Sequence, residues 1–510
     1  MTKTRFYNLL WILLTGLGTG LWISCVWPVI DDLAYLHRVV EPDYWALSGG
    51  LIENQAQLAE SIVNHYTMVN SRLANLMALA VLTLPRGVQA AVCGVAAAAL
   101  VAALIALGDP HGRITAPVAT ALVWIALPWH DGLASVDFEI NYVWTSAMAL
   151  WVMVAAVKCC CARSATFVAA TAGAFLAGWM HEGIAVMAGA FLACLWWQAP
   201  GRRRVPGLLL AALIAGFAVN LAGATLTRAL TALGSNAGPG TIQWLRSATA
   251  QLWPLWLAAA GAVALRKRVD MKALAPAAAA AVASLAMCGL LHALGRAAWG
   301  ANLAALILLL KLLQYVPSCP GLLRKAAVAL APAIYVLWLA QLLAWQSRIS
   351  HEEREMAALA SATTDTLRVD LTPECDIPFT LKGIVQHPPL MMADYNSVYA
   401  RHYCGRDGIP VLPAGTSGKL PGHNPFYTAG WPMLVTPCTT LPDTIAVELT
   451  YGPLRASASP LDRLAALAMG TSDRYTTRAI AVRGHAPGIY FIEGAGRFSR
   501  GRALKCVKNL

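Results

Sequence analysis

The sequence contains few charged residues for its length. Asp, Glu, Lys and Arg make up 13% of its 510 residues, whereas ordinary soluble domains carry about a quarter. Hydrophobic residues make up 58% of the chain, and its mean hydropathy is +0.56. This shortage of charge excludes an ordinary soluble protein and places most of the chain in a lipid bilayer.

Several motifs that would indicate other classes of protein are also missing. The sequence has no Cys-x-x-Cys pair and no His-Glu-x-x-His pattern, so neither a cysteine zinc site nor a zinc hydrolase is indicated. The net charge of +12 comes from short basic clusters between apolar runs. Such clusters orient membrane proteins, so we expect no nucleic-acid partner.

The chain begins with an apolar run that ends at two adjacent carboxylates. Residues 7–30 are long enough to cross a bilayer, and Lys3 and Arg5 precede them. By the positive-inside rule the N-terminus is cytoplasmic, and Asp31 and Asp32 emerge on the opposite side. Acidic residues beside hydrocarbon are costly, which makes the pair a functional candidate. The alternative is that they only end the span and cap the following helix.

Further apolar runs alternate with basic clusters and predict eleven membrane spans within residues 1–346. The basic clusters fall in every second connection, so all of them are predicted to be cytoplasmic. They contain Arg113, Lys158, Arg202, Arg266 and Arg324. The segment 73–84 is apolar but too short to span alone, so we interpret it as re-entrant, with the next span at 88–107.

The first outer loop, residues 31–72, ends in a group of polar residues. Within it, apolar residues recur at helical spacing over 51–66, which predicts a helix lying on the membrane surface. His65, Asn70 and Arg72 close the loop. An arginine there can hold a phosphate by paired N–H bonds, and His65 can donate a further bond or a proton. Anchoring of Arg72 to lipid headgroups is the alternative.

Three other outer turns carry candidate binding residues. Asn141 and Tyr142 stand at the head of a span and offer neutral hydrogen bonds, although Asn141 could simply cap the helix. His181 and Glu182 lie between two short spans and need a partner or water; simple solvation at the surface is the alternative. Arg296 occupies another outer turn and could pair with them or with a phosphate.

The composition changes after the last span. Residues 347–360 are charged and compatible with a helix, which predicts a stalk. Residues 361–510 are rich in Pro and Gly and contain seven short β-prone runs. This pattern predicts a soluble mixed α/β domain outside the membrane.

The predicted outer domain contains an even number of cysteines. They are Cys375, Cys404, Cys438 and Cys506. An even number in an oxidising compartment indicates two disulfides, for which three pairings are open. We favour Cys375–Cys404 and Cys438–Cys506.

The outer motifs, in this order and on this side of the membrane, resemble those of the GT-C superfamily of integral-membrane glycosyltransferases. Members are similar in having an acidic pair and a surface helix in the first outer loop, many spans and often an outer C-terminal domain. A bacterial branch of the superfamily is most similar, and serotype-converting glucosyltransferases of O-antigen share the general plan. The corresponding motifs here are Asp31-Asp32, Asn70-Ser71-Arg72, Asn141-Tyr142 and Glu182-Gly183.

The resemblance implies transfer of a sugar from a polyprenyl-phosphate donor to a cell-envelope glycan, outside the inner membrane of a bacterium. Asp31 would deprotonate the acceptor hydroxyl with Asp32 in support, while Arg72 and Arg296 would hold the leaving lipid phosphate. Members of the superfamily differ in their need for a metal ion. Because the sequence lacks a further acidic motif, a bound Mg²⁺ or Mn²⁺ stays an open alternative, and no other cofactor is expected.

Two other classes of function remain open. A transporter or flippase of a lipid-linked sugar would predict internal repeats and charged residues near mid-span. The sequence shows no clear repeat, and its charges concentrate at outer turns, which favours an enzyme. A non-catalytic membrane scaffold is the third class, and an Asp31 variant without effect would favour it.

Overall fold

The computed structural model describes the helical part of the chain with gaps. Within residues 1–339 the described residues are 3–25, 31–109, 116–127, 135–158, 165–198, 200–234, 244–245, 248–249, 251–291, 295–315, 325–326 and 333. Beyond them, seven short strands are described by their backbone. The chain divides into two compact units: Met1–Tyr44 with Ser48–Leu339, and Trp45–Leu47 with Ala340–Leu510.

The described part of the first unit is helical. Its α-helices are α1 Lys3–Cys25, α2 Asp31–Tyr35, α3 Gln55–Asn64, α4 Leu73–Leu82, α5 Arg86–Gly108, α6 Ala116–Ala126, α7 Val136–Phe138, α8 Thr145–Lys158, α9 Ala165–Met180, α10 Glu182–Gln198, α11 Arg204–Asn220, α12 Leu226–Gly234, α13 Trp253–Ala264, α14 Met271–Leu290 and α15 Trp299–Leu313. Segments of π-helix directly continue α3, α7 and α11, at His65–Val69, Glu139–Trp144 and Leu221–Thr225.

Six described helical stretches are long and apolar enough to cross a membrane. They are Arg5–Ser24, Arg86–Gly108, Val136–Lys158, Arg204–Arg228, Met271–Leu290 and Gly295–Leu313. Four helices, α4, α9, α10 and α13, are apolar but shorter. The chain is therefore a helical membrane protein, as its composition predicts, and the count of eleven spans stays a prediction.

Two of the spans approach each other closely because they lack side chains at the contact. A Cβ atom on Gly16 of α1 would lie 2.8 Å from the carbonyl oxygen of Gly94 in α5. A Cβ atom on Gly94 would lie 2.5 Å from the carbonyl oxygen of Gly16. In a bilayer, where lipid is as apolar as leucine, such small-residue contacts replace hydrophobic burial as the source of helix association.

Polar contacts join helix ends on one side of this bundle. The backbone N–H of Ala116, at the start of α6, donates to Asn8 Oδ1 near the start of α1 at 3.0 Å. Gln314 Nε2, just after α15, donates to the carbonyl of Gly108 at the end of α5. The candidate site described below lies at the other ends of these helices.

The segment predicted to be re-entrant is the short helix α4. Most of the side chains around this helix are buried, including those of Asn75, Leu79 and Leu82. Gln89, in the first turn of α5, donates from Nε2 to the carbonyl of Leu82 at 3.2 Å. Helix α4 is thus embedded in protein and shorter than a bilayer span, and its re-entrant character stays a prediction.

Within residues 340–510 the structure describes only strands. They are β1 Leu367–Val369, β2 Val411–Pro413, β3 Met433–Val435, β4 Thr444–Leu449, β5 Thr476–Ala481, β6 Ile489–Phe491 and β7 Lys505–Cys506. β1 pairs with β2 in parallel, while β4 with β5, β3 with β6, and β6 with β7 are antiparallel. Each strand overlaps a β-prone run of the sequence, and the mixed α/β domain itself stays a prediction.

Several predictions fall outside the described residues. They include the final predicted span apart from two of its residues, the stalk at 347–360, and most of residues 361–510. The side chains of Cys375, Cys404, Cys438 and Cys506 also lie outside the described part, so the disulfides stay predictions.

Candidate active site

Asp32 is fully buried and accepts two backbone hydrogen bonds from a distant helix. Its Oδ2 accepts from the Val136 N–H at 2.9 Å, and its Oδ1 accepts from the Asp137 N–H at 2.8 Å. These N–H groups belong to the first turn of α7, where backbone N–H groups have no acceptor within their own helix. Burial raises the pKa of Asp32 to about 7, although the two N–H donors act against that rise. Asp32 therefore accepts hydrogen bonds from the first turn of α7, a helix about 100 residues away in sequence, and not from the helix that follows it.

Asp31 is only partly buried and makes a different set of contacts. Its Oδ1 accepts a hydrogen bond from the Tyr44 hydroxyl at 2.9 Å. Burial raises the pKa of Asp31, and three arginines and the Tyr44 hydroxyl act in the opposite direction. The three are Arg296, Arg228 and Arg72. Of the two adjacent carboxylates, Asp31 is the one that a ligand can reach.

An aromatic cluster holds Tyr44 beside Asp31. The rings of Tyr35 and Tyr44 stack with centroids 5.5 Å apart, and the His65 ring lies edge-on to both, at 5.3 and 5.9 Å. The hydroxyl of Tyr35 accepts a hydrogen bond from Asn75 Nδ2 at 2.7 Å. Because these rings are packed on several sides, the Tyr44 hydroxyl has a fixed direction toward Asp31.

His65 is completely buried, and its hydrogen bond defines its tautomer. The ring Nδ1 lies 2.8 Å from the carbonyl oxygen of Asn70. A carbonyl can only accept, so Nδ1 carries the hydrogen and Nε2 presents a lone pair. Burial lowers the pKa of His65 to about 4, so the ring is neutral near pH 7. His65 thus offers an acceptor to the site, where the sequence suggested a donor.

The segment from Asn70 to Arg72 is held by residues that sequence reasoning missed. Asn70 Oδ1 accepts from the Arg72 N–H at 3.1 Å and from the Thr225 hydroxyl at 2.9 Å. The Ser71 hydroxyl donates to the carbonyl of Asn220. Asn220 and Thr225 are polar residues inside an otherwise apolar run, and this was the available signal in the sequence. The run alone did not show which residues they contact.

Gly223 allows this segment to approach the π-helical turn at the end of α11. Its backbone is non-helical, with φ −99° and ψ −150°. A Cβ atom there would lie 2.6 Å from the Tyr66 carbonyl oxygen and 2.8 Å from Ser71 Oγ. The glycine therefore places Ser71, and with it Arg72, against α11.

Arg72 and Glu182 form a bidentate ion pair across the site. Arg72 Nε donates to Glu182 Oε2 at 2.6 Å, and Nη2 donates to Oε1. Their side chains are 22% and 24% exposed. Glu182 therefore has a protein partner, and among the described residues that partner is Arg72 rather than Arg296. Two of the guanidinium nitrogens are occupied by the carboxylate, and Nη1 has no partner among the described residues.

Asn141 lies within the π-helical segment Glu139–Trp144 and does not cap the helix. The cap is Ser135, whose hydroxyl accepts from the Phe138 N–H at 3.0 Å. Asn141 Nδ2 donates instead to Asp137 Oδ1 at 2.7 Å, and its Oδ1 has no partner among the described residues. The capping alternative for Asn141 is therefore wrong, and its buried amide oxygen is left without a partner among the described residues.

His181 and Tyr142 lie side by side at the same end of the bundle. Their ring centroids are 4.9 Å apart. His181 Nδ1 accepts from the Gly183 N–H at 3.1 Å, and its buried Nε2 has no partner among the described residues. Burial and the nearby Arg72 lower the pKa of His181 to about 3. The predicted binding residues Tyr142, His181 and Glu182 are thus brought together with Arg72.

Arg296 and Arg228 add positive charge near Asp31. Arg296 belongs to the 3₁₀ turn Gly295–Ala298, and its charge acts on Asp31 and on His181. Arg228 is an exposed residue of α12 whose charge acts on Asp31 and His65. Arg296 was predicted from its turn, whereas Arg228 was missed because it follows an apolar run like many basic residues in this chain.

Two π-helical segments and the kink at Leu221–Thr225 all border this site. His65–Val69 carries the neutral histidine, Glu139–Trp144 carries Asn141 and Tyr142, and Leu221–Thr225 holds the segment before Arg72. Insertions of this kind are rare and often occur at functional sites, because the extra residue redirects side chains and frees backbone groups. Their meeting at one end of the bundle supports a functional role for this end.

The described residues contain no group of three or more His, Cys, Asp or Glu side chains placed to hold a metal ion.

Comparison with known proteins gives no identification: no protein-family model, no curated protein and no solved structure matches this chain.

Proposed function

We propose that this protein is a membrane glycosyltransferase of the GT-C type, which transfers a sugar from a polyprenyl-phosphate donor to a cell-envelope glycan. The observation that carries the proposal is the setting of Asp31. It is a partly buried carboxylate at one end of a bundle of apolar helices, aligned by Tyr44 and surrounded by Arg72, Arg228 and Arg296. An acid among several cations suits a reaction between a hydroxyl and an anionic leaving group.

In the proposed reaction, Asp31 accepts the proton of the acceptor hydroxyl as that oxygen attacks the anomeric carbon of the donor. The bond between the anomeric carbon and the lipid-phosphate oxygen breaks, and the phosphate leaves with the electron pair. The configuration at the anomeric carbon inverts. A raised pKa makes Asp31 a better proton acceptor than an ordinary surface aspartate, and the arginines stabilise the departing phosphate.

The two aspartates have separate roles in this proposal. Asp32 cannot accept a proton without weakening the bonds from Val136 and Asp137, so it is a positioning residue. It fixes the start of the span that carries Asn141 and Tyr142, and it also fixes the backbone of its neighbour Asp31. Asn141 and Tyr142 then provide neutral hydrogen bonds for sugar hydroxyls.

We further propose that the site faces the periplasm of a bacterial inner membrane. Lys3 and Arg5 place the N-terminus in the cytoplasm by the positive-inside rule. The site then lies on the outer side, together with residues 361–510 after the eleventh span. A phosphatase fusion at the C-terminus is expected to be active, and activity of a cytoplasmic reporter there would contradict both the topology and the side assigned to the site.

The central experiment compares envelope glycans by mass spectrometry in cells that carry wild-type protein, Asp31→Asn, Asp43→Asn or no protein. Asp43 is an exposed acid in the same loop and lies outside the described site, so it is a matched control. We expect one hexose- or pentose-sized increment with wild type and Asp43→Asn, and its loss with Asp31→Asn and in the deletion strain. Immunoblots of the membrane fraction must show equal amounts of the three proteins.

If Asp31→Asn leaves the glycans unchanged while the deletion alters them, Asp31 is not the base. That result would contradict the proposed enzyme and favour a transporter of a lipid-linked sugar or a scaffold. Because Asp31 is partly exposed and an asparagine can still accept the Tyr44 hydrogen bond, the substitution is not expected to unfold the protein.

A further inference from the structure

His181 is held in a single tautomer by the start of α10. Its carbonyl accepts from the Ala185 N–H at 2.9 Å, so His181 is the residue that caps this helix. Its ring Nδ1 accepts from the Gly183 N–H at 3.1 Å. A backbone N–H can only donate, so Nδ1 must be unprotonated and the hydrogen of the neutral ring must lie on Nε2.

This Nε2–H group is buried and makes no hydrogen bond within the described part of the chain. His181 is 6% exposed, and Nε2 has no hydrogen-bond partner among the described residues. A buried donor without a partner costs about 1–3 kcal/mol, and such groups in native proteins usually meet a ligand or an ordered water. Protonation of Nδ1 would break the bond from Gly183, so the ring acts as a neutral donor and not as a cation.

His65 provides the opposite case within the same site. Its Nδ1–H donates to the Asn70 carbonyl, which leaves Nε2 as a buried acceptor without a partner among the described residues. Two neutral histidines therefore flank Arg72 with opposite hydrogen-bonding character. An anionic oxygen can only accept, so it can bind His181 and would be repelled by the lone pair of His65.

We propose that His181 Nε2–H donates a hydrogen bond to a phosphate oxygen of the ligand bound beside Arg72, and that His65 does not. The phosphate follows from the proposed function, in which a lipid-borne phosphate is the leaving group. Glu182, the residue after His181, accepts hydrogen bonds from two nitrogens of Arg72 and offsets the positive charge of the guanidinium. A neutral donor beside a partly neutralised arginine orients a phosphate without binding it so strongly that it cannot depart.

The first test determines the tautomers directly. Full-length protein with ring-¹⁵N-labelled histidine is reconstituted into phosphatidylcholine nanodiscs and studied by ¹⁵N NMR at pH 7.5. The variants His181→Gln and His65→Gln identify their resonances among the eleven histidines. We expect a protonated Nε2 at His181 and a protonated Nδ1 at His65. A protonated Nδ1 or a doubly protonated ring at His181 would overturn the proposal.

The second test adds farnesyl phosphate, inorganic phosphate or farnesol to the same samples. We expect farnesyl phosphate to shift the His181 Nε2 resonance and farnesol to leave it unchanged. His181→Gln should weaken binding of farnesyl phosphate by about 10-fold or more, as expected for a hydrogen bond to a charged group. His37→Gln, which replaces another buried histidine, should bind as wild type does.

The outcomes separate the source of the phosphate from the role of His181. A shift with inorganic phosphate alone would support the donor role and assign the site to free phosphate. A lack of response to either phosphate would overturn the inference about His181. Loss of the glycan increment with Asp31→Asn is an independent result and would still support the proposed function in that case. Failure of the His181 inference is therefore distinguishable from failure of the proposed function.

Discussion

The Arg72–Glu182 ion pair gives the sharpest quantitative prediction from this structure. Their side chains are 22% and 24% exposed, so the pair is intermediate between surface pairs, which contribute about 0–1 kcal/mol, and fully buried ones. Breaking a fully buried pair from one side costs about 3–5 kcal/mol, because an uncompensated charge remains. We therefore expect Arg72→Gln and Glu182→Gln each to cost about 2–3 kcal/mol of unfolding free energy.

The double variant should cost less than the sum of the two single variants. Two neutral amides can hydrogen-bond to each other and leave no buried charge, so we expect a coupling free energy of about 1–3 kcal/mol. The measurement is unfolding of purified protein in one fixed detergent, followed by the fluorescence of its 18 tryptophans. A full cycle needs wild type, both single variants and the double variant.

A second ion pair in the same chain is the matched control. Arg38 Nη2 lies 2.8 Å from Glu60 Oε2, with side chains 31% and 50% exposed. Solvent screens this pair, so the corresponding cycle should give a coupling free energy well below 1 kcal/mol. Additive effects of the Arg72 and Glu182 variants, equal to those of the control pair, would refute the reasoning about the site.

Three further predictions concern the same region. His181→Gln should make the unfolding free energy less sensitive to acid. The pKa of His181 is about 3 in the folded protein against an ordinary 6.5. Below about pH 6.5 the unfolded state therefore binds the proton more tightly, and protonation favours unfolding. The wild type should then lose about 1.4 kcal/mol per pH unit that the variant keeps, and equal losses in pH-dependent unfolding would contradict this. Gly223→Ala should cost roughly 1–3 kcal/mol because its methyl group collides with Ser71; unchanged thermal unfolding would show that the segment can move. Tyr44→Phe removes a donor that lowers the pKa of Asp31, so the acidic limb of the pH profile of sugar transfer should move to higher pH, and an unmoved limb would exclude this role of Tyr44.

The sequence pattern predicted local features of this protein well. The abrupt end of the first apolar run singled out Asp31 and Asp32, and the helical spacing over 51–66 predicted a helix where α3 lies. Such features depend on residues a few positions apart, so periodicity reveals them. The short apolar run at 73–84 likewise corresponds to the short helix α4.

The functions of individual polar residues were harder to predict. Only the family resemblance separated Asp31 from Asp32, because adjacent aspartates have the same chemistry until their partners are known. Asp32 is bonded to residues 104 and 105 positions away, and Glu182 is bonded to Arg72 across 110 positions. Tyr44, Arg228 and Thr225 entered the site for the same reason, since a single sequence carries no record of such contacts.

The sequence by itself therefore determined that most of this chain is suited to a lipid bilayer and roughly where its apolar helices lie. Hydrophobic length and charge distribution are properties of the chain and act before it folds. Only the tertiary structure decided which charges cancel and which groups remain to meet a ligand. It assigned Asp32 to a helix start and Arg72 to Glu182, left Asp31 accessible, and set the two histidines in opposite tautomers, because each of these depends on a partner that folding brings from a distant part of the chain.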